Sequence, residues 1–95
     1  MPFPQQQARP FTREAVLRLN PGQNGCYGIY VANGHWVYVG SGDIRQRMLD
    51  HVGGDNACIT GERPTHWVSI VTDDYVAEEK RLILEHKPHC NKKVG

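Results

Sequence analysis

The chain has 95 residues, 39% of them hydrophobic and 22% charged, with a formal net charge of +1. That length has room for one hydrophobic core and no second domain, since a domain of this size buries only ~60% of its unfolded surface, and the apolar fraction is too high for a disordered chain. The near-zero net charge excludes a global field that would draw in nucleic acid, so any attraction to phosphate has to come from local clusters of Lys and Arg.

Residues 1–10 contain Pro2, Pro4, Pro10 and the run Gln5-Gln6-Gln7. They show no hydrophobic period and are expected to form a flexible N-terminal arm, leaving 11–95 as a single domain. Thr12 is a suitable N-cap for a short helix that turns Ala15, Val16 and Leu19 inward, and Asn20-Pro21-Gly22 ends it. Cys26–Val31 and His35–Val39 are β-rich runs separated by Ala32-Asn33-Gly34, a strong hairpin signal.

Two turns compete at that hairpin. A two-residue turn at Asn33-Gly34 mixes phenols and aliphatics on both faces. A three-residue loop with Gly34 left-handed pairs Val31 with His35, Tyr30 with Trp36, Ile29 with Val37 and Gly28 with Tyr38. Ile29, Val31, Val37 and Val39 then share one side, and Gly28, Tyr30, Trp36 and Tyr38 the other, so the bulged loop is the predicted register. Asp43 can cap a helix over Ile44–Val52, with Gln46 at the capping-box position and Gly53-Gly54 closing it. Residues 55–64 show no clear period and read as a loop with one helical turn at most. Thr65–Val71 reads as a third strand, and Thr72-Asp73-Asp74 introduces a helix from Tyr75 to His86, ended by Lys87-Pro88. The fold class this predicts is α+β, a small three-stranded antiparallel sheet flanked by helices.

Cys26, Cys58 and Cys90 are an odd number without CxxC spacing. Zinc ligation by these with His66 or His89 lacks the paired short spacings of structural sites, so half-buried thiols are expected. No N-terminal segment resembles a secretion signal or membrane span, and a reducing cytoplasm fits best.

Arg47 and His51 stand one turn apart on the flank of the stripe made by Ile44, Met48 and Val52, where an exposed helix pair without a task is the plainer reading. In the last helix, Val76, Ala77, Leu82, Ile83 and Leu84 define an inward arc that includes Glu79, while Glu78 and Glu85 point away. A carboxylate there needs a cation or a metal, and Lys80 in the same arc could supply the ion pair.

Gly28-Ile29-Tyr30 followed by Tyr38-Val39-Gly40, with Arg47 and His51 on the next helix, Glu79 on the last and Asn91 after Pro88, resembles the GIY-YIG nuclease family over residues 26–92, with Val39 in place of the usual isoleucine. The resemblance implies that Glu79 binds Mg²⁺ or Mn²⁺ and that Tyr38 positions or deprotonates the attacking water with Tyr30 as an orienter. It further implies that Arg47 holds the scissile phosphate, that His51 relays a proton, and that Asn91 orients the phosphate or ties the chain end to the site. Arg45, Lys80, Arg81, Lys87, Lys92 and Lys93 would line the substrate path, with Trp36 stacking a base or covering the sheet. The function so implied is metal-dependent hydrolysis of nucleic acid, DNA before RNA with the choice between them left open, and with low or structure-directed specificity. The alternatives are a non-catalytic nucleic-acid-binding module and a catalytic subunit with a separate targeting protein; no membrane partner is expected.

Overall fold

A computed structural model describes residue 3 and residues 6–91 of the chain. In order these are β1 (Arg9–Pro10), α1 (Arg13–Leu17), β2 (Asn24–Tyr30), β3 (Trp36–Asp43), α2 (Ile44–Val52), α3 (Ala57–Glu62), β4 (His66–Val71), α4 (Tyr75–His86) and a 3₁₀ turn, His89–Asn91. Local chemistry accounts for most of the boundaries. Thr12 Oγ1 accepts from Ala15 N at 3.2 Å and opens α1; Asp43 Oδ1 accepts from Gln46 N at 3.1 Å and opens α2. The Gln46 side chain does not close the capping box but turns to Asp50 Oδ1 at 3.1 Å. Residues 55–64, expected as loop, hold α3, because Asn56 Oδ1 caps both Cys58 N and Ile59 N and Ile59 reaches the core.

The architecture is α+β with an antiparallel sheet, and the sheet has four strands, in the order β1-β4-β2-β3, instead of the three expected. The extra strand comes from the stretch expected as an arm. Arg9–Pro10 pairs with Trp67 and His66, and the Gln6 amide bonds both backbone groups of Ser69, accepting from N at 3.0 Å and donating to O at 2.8 Å. At the other edge the Asn91 amide does the same to Val39, accepting from N at 2.7 Å and donating to O at 3.0 Å. Side-chain amides thus occupy backbone groups that an edge strand would otherwise leave open to pairing.

Next to its turn the β2–β3 hairpin has the predicted three-residue loop. Val31 N donates to His35 O, Gly34 N donates to Val31 O, Gly34 lies at φ 95°, and Tyr30 pairs with Trp36. One step further the register shifts, and Ile29 pairs with Tyr38 instead of Val37, and Gly28 with Val39 instead of Tyr38. Val37 is the extra residue of a β-bulge, and such a residue lets two neighbours turn to one side of the sheet. Val37 enters the main core with Ile29 and Tyr27, and Tyr38 packs beside them. The predicted division of faces is therefore corrected: Tyr30 and Tyr38 lie on opposite sides. The space over Gly28, expected to face Tyr38, is filled by Trp36 and Phe3, where a Cβ would come within 2.6 and 2.7 Å of their rings.

One side of the sheet carries the main core with α1, α2 and α3: Ala15, Val16, Ile44, Met48 and Ile59 against Tyr27, Ile29, Val37 and Trp67. The other carries α4, whose Leu82 packs on Cys26 and Val39 with Ile83 and Tyr75 at its margin. The arc expected to face inward on α4 is narrower than its composition implies, since Val76, Ala77 and Leu84 are exposed and line a surface groove with Asp74, Lys80 and Arg81. Only Leu82 is fully buried on this helix, because one sheet face plus the Phe3–Trp36–His86 ring cluster leaves room for little more. Cys58 and Cys90 are joined in a disulfide that ties α3 to the 3₁₀ turn, which corrects the expectation of thiols at these positions; Cys26 is a buried free thiol. No helix among the described residues is long and apolar enough to cross a membrane.

Candidate active site

The bulge decides which phenols meet. Tyr27, fully buried, lies with its hydroxyl over Gly40, and its ring stands 6.3 Å from that of Tyr38. Tyr27 Oη and His51 Nε2 are 2.8 Å apart, and His51 Nδ1 and Asp55 Oδ1 2.9 Å. A carboxylate can only accept, so the Nδ1 proton points to Asp55, Nε2 is left as an acceptor, and the Tyr27 hydroxyl donates to it. His51 is 3% exposed, which excludes the reading of an idle surface pair. Arg47, one turn earlier and exposed, brings its guanidinium to the Tyr27 phenol.

Glu79 reaches the same end of β3 from the opposite side of the sheet. Its Oε1 accepts from Ser41 Oγ at 2.9 Å, and among the described residues it makes no ion pair with Lys80 or any other cation. Its charge is felt by both phenols. Burial, then the Glu79 charge, pushes the Tyr38 phenol up, with Arg47 opposing. Burial and the neighbouring Tyr38 push the Tyr27 phenol up, Arg47 again opposing and Glu79 adding least. The Arg47 guanidinium is held more firmly protonated by Tyr27. A buried and a half-buried phenol with raised pKa values and a cation on one side of β3, with a carboxylate reaching the same strand from the other, form a polar site that the core packing alone does not require.

Of the residues singled out in the sequence, Tyr38, Arg47 and His51 converge, with Glu79 at their margin. Tyr30 does not join them; it lies 5.0 Å from the Trp36 ring and 5.8 Å from the His66 ring on the far face. Trp36 is enclosed by Phe3, Tyr30 and His86 there, so it covers the sheet and does not sit beside Tyr38. Both polar groups of the Asn91 amide are occupied by Val39, the neighbour of Tyr38, so Asn91 fastens the chain end to the site. Arg45 keeps its Nε buried without a hydrogen-bond partner, Lys80 and Lys87 are exposed, and Lys92 and Lys93 lie outside the described residues.

Two residues of the cluster escaped the sequence reading. Tyr27 belongs to Gly25-Cys26-Tyr27, a second Gly-X-Tyr tripeptide immediately before Gly28-Ile29-Tyr30, and the repeat was the available signal. Asp55 stands four residues after His51, the spacing of two side chains on one helical face, but beyond Gly53-Gly54 it read as loop. As the side chains stand, no group of three or more His, Cys, Asp or Glu among the described residues encloses a metal position. Glu79 alone still fits a hard divalent cation that keeps several waters and takes other oxygens from a substrate phosphate. No protein-family model matches the sequence, and no curated protein is similar enough to match it.

Proposed function

We propose that this chain is a divalent-metal-dependent endonuclease that hydrolyses phosphodiester bonds of DNA, with a site of the GIY-YIG type made by Tyr27, Tyr38, Arg47, His51 and Glu79. The observation that carries the reading is the phenol–imidazole–carboxylate chain with an exposed guanidinium on one side of β3, beside a carboxylate that Ser41 holds on the other side of the same strand. In this reading the resemblance runs through Gly25-Cys26-Tyr27, and Tyr30 drops out of the site.

Roles follow from exposure. Arg47, the exposed cation of the group, holds the scissile phosphate through its fork of donors and meets the charge that grows on phosphorus. Tyr38 is partly exposed and is the phenol that an attacking water can reach. Tyr27 is sealed from solvent and stays protonated at neutral pH; it orients Tyr38 and Arg47, and donates its hydrogen bond to His51 Nε2, whose other nitrogen donates to Asp55. Glu79 would hold Mg²⁺ or Mn²⁺, which supplies Lewis-acid neutralisation of the phosphate. With a net charge of +1 and few residues outside the fold, low or structure-directed specificity is the consistent expectation.

Cleavage of plasmid, single-stranded DNA and RNA in the presence of Mg²⁺ or Mn²⁺, with wild type beside Glu79→Ala, tests the proposal. Cutting that requires the metal and disappears with Glu79→Ala supports it. Retention of nucleic acid without cutting would make the chain a binding module, and equal cutting by Glu79→Ala would remove Glu79 from the chemistry.

A further inference from the structure

One side-chain amide holds the chain end against the candidate site. Asn91 gives both of its polar groups to Val39, accepting from N at 2.7 Å and donating to O at 3.0 Å. In an antiparallel strand the N–H and C=O of one residue point to the same edge, so these bonds lie on the outer edge of β3, away from β2. Val39 stands between Tyr38 and Gly40, the residue over which the Tyr27 hydroxyl lies. Asn91 therefore fixes the strand where the two phenols meet.

What keeps Asn91 in place is the link at the preceding residue. Cys90 is joined to Cys58 of α3, 32 residues away in the chain, with 5.8 Å between their Cα atoms. α3 is in turn anchored in the main core by Ile59, which follows Cys58 and is fully buried. The same segments also meet through Glu62, whose two carboxylate oxygens lie 3.1 Å from His35 Nε2 and 3.4 Å from His89 Nε2. These side chains lie at the surface, and exposed polar contacts of this kind hold little. Tying down the neighbour of Asn91 raises the effective concentration of its amide at Val39 without adding a contact there.

We propose that the Cys58–Cys90 disulfide is a redox-sensitive latch that keeps Asn91 on Val39 when oxidised and, when reduced, releases the 3₁₀ turn from the edge of β3 beside Tyr38. Both cysteines are half-buried, within reach of a small dithiol. One thiolate of the dithiol attacks a sulfur of the bond and forms a mixed disulfide, expelling the other cysteine as a thiolate that takes up a proton. The second thiol then displaces the attached cysteine, so the dithiol is oxidised to its own disulfide as Cys58 and Cys90 become thiols. Cys26 is a bystander. It is buried on the α4 side, it donates to Tyr75 O at 3.3 Å, and burial, then the Glu79 charge, pushes its thiol up to about 11. The latch is independent of the nuclease reading.

Amide hydrogen exchange followed by NMR in low urea, on the full chain oxidised and then reduced with dithiothreitol, is the test. Alkylation and mass measurement should count one thiol before reduction and three after it. On reduction the Val39 N–H should exchange about 10-fold faster or more, the order that loss of two net hydrogen bonds gives, and the Tyr38 ring resonances should move. That exchange should be insensitive to urea, as local opening is, while the β2 amides still require global unfolding and accelerate with urea. Asn91→Ala should show the fast Val39 exchange already in the oxidised chain, and Cys58→Ser should match the reduced parent without reductant. An unchanged Val39 rate overturns the latch, as does a Val39 amide that opens only together with β2. Three thiols before reduction would remove the link itself.

Discussion

Gly40→Ala is the sharpest probe of how the phenols are held. The new methyl would stand 2.5 Å from Tyr27 Cζ and 2.9 Å from Tyr38 Cε2, and closer still to Tyr27 Oη, where carbon atoms ordinarily meet at about 3.5–4.0 Å. The Tyr27 ring must retreat by about 1 Å, which stretches the 2.8 Å bond to His51 Nε2 past hydrogen-bonding range. Overpacking of this kind costs about 1–3 kcal/mol and the lost bond about 1 kcal/mol more. Restricting the unfolded chain returns about 0.4–1 kcal/mol, since Gly40 is not among the residues at positive φ. The net expectation is a destabilisation of roughly 1–3.6 kcal/mol, or about 4–29 °C in Tm. Urea unfolding followed by the fluorescence of Trp36 and Trp67 measures it. Gly61→Ala, in α3 with nothing within 4 Å of the added carbon, should instead gain about 0.5–1 kcal/mol. Because Tyr27→Phe removes the nearest colliding atom, the double variant should fall short of additivity by about 1 kcal/mol. A Gly40→Ala chain as stable as its parent, with the His51 proton resonances unmoved, would show that Tyr27 does not lie over Gly40.

The two Gly-X-Tyr tripeptides make opposite predictions for activity. Tyr27→Phe should lower the cleavage rate by about 10²-fold, as misplacement of the groups that hold the substrate does, while Tyr30→Phe should stay within a few-fold of wild type; the reverse order would restore the Tyr30 frame. Asn91→Ala strips Val39 of both its amide partners and should cost about 2–3 kcal/mol in urea unfolding. Reduction of the Cys58–Cys90 bond, which spans 32 residues, should cost about 3–4 kcal/mol by chain entropy, and an unchanged denaturation midpoint after reduction would argue against the link. Cys26 is raised by burial, then by Glu79 and Glu78, to about 11 from 9.0, and burial raises Tyr27 and Tyr38 as well. For groups raised in the folded state, stability is fully present below the unfolded values and is lost as pH climbs through the folded ones. Tm should therefore decline from about pH 9 to pH 11 and beyond, less steeply in Cys26→Ala; a flat profile there counts against a buried thiol.

Much of the secondary structure was legible in the sequence because its signals are local. Thr12 and Asp43 mark helix starts because a side-chain oxygen of each accepts from a backbone N–H of the first turn, and Gly34 marks the loop by tolerating a left-handed backbone. α2 and α4 have the bounds that their periodicity predicted. The fourth strand left no trace, since two residues and a glutamine amide form a pairing edge only once β4 is present to receive them. The candidate site was legible in its residue types but not in its membership. Arg47, His51, Glu79 and Tyr38 could be named from the chain alone, yet the choice between Tyr27 and Tyr30 depended on a single bulged residue. Strand side chains alternate with a period of two, so one extra residue at Val37 exchanges the faces of everything beyond it. That residue bulges because the core on the α2 side takes Val37 and Ile29 together while Trp36 fills the space over Gly28 on the other. The same holds for the Cys58–Cys90 link and for His35, Glu62 and His89: the sequence determines which chemistry is available, and only packing between distant segments determines which groups meet.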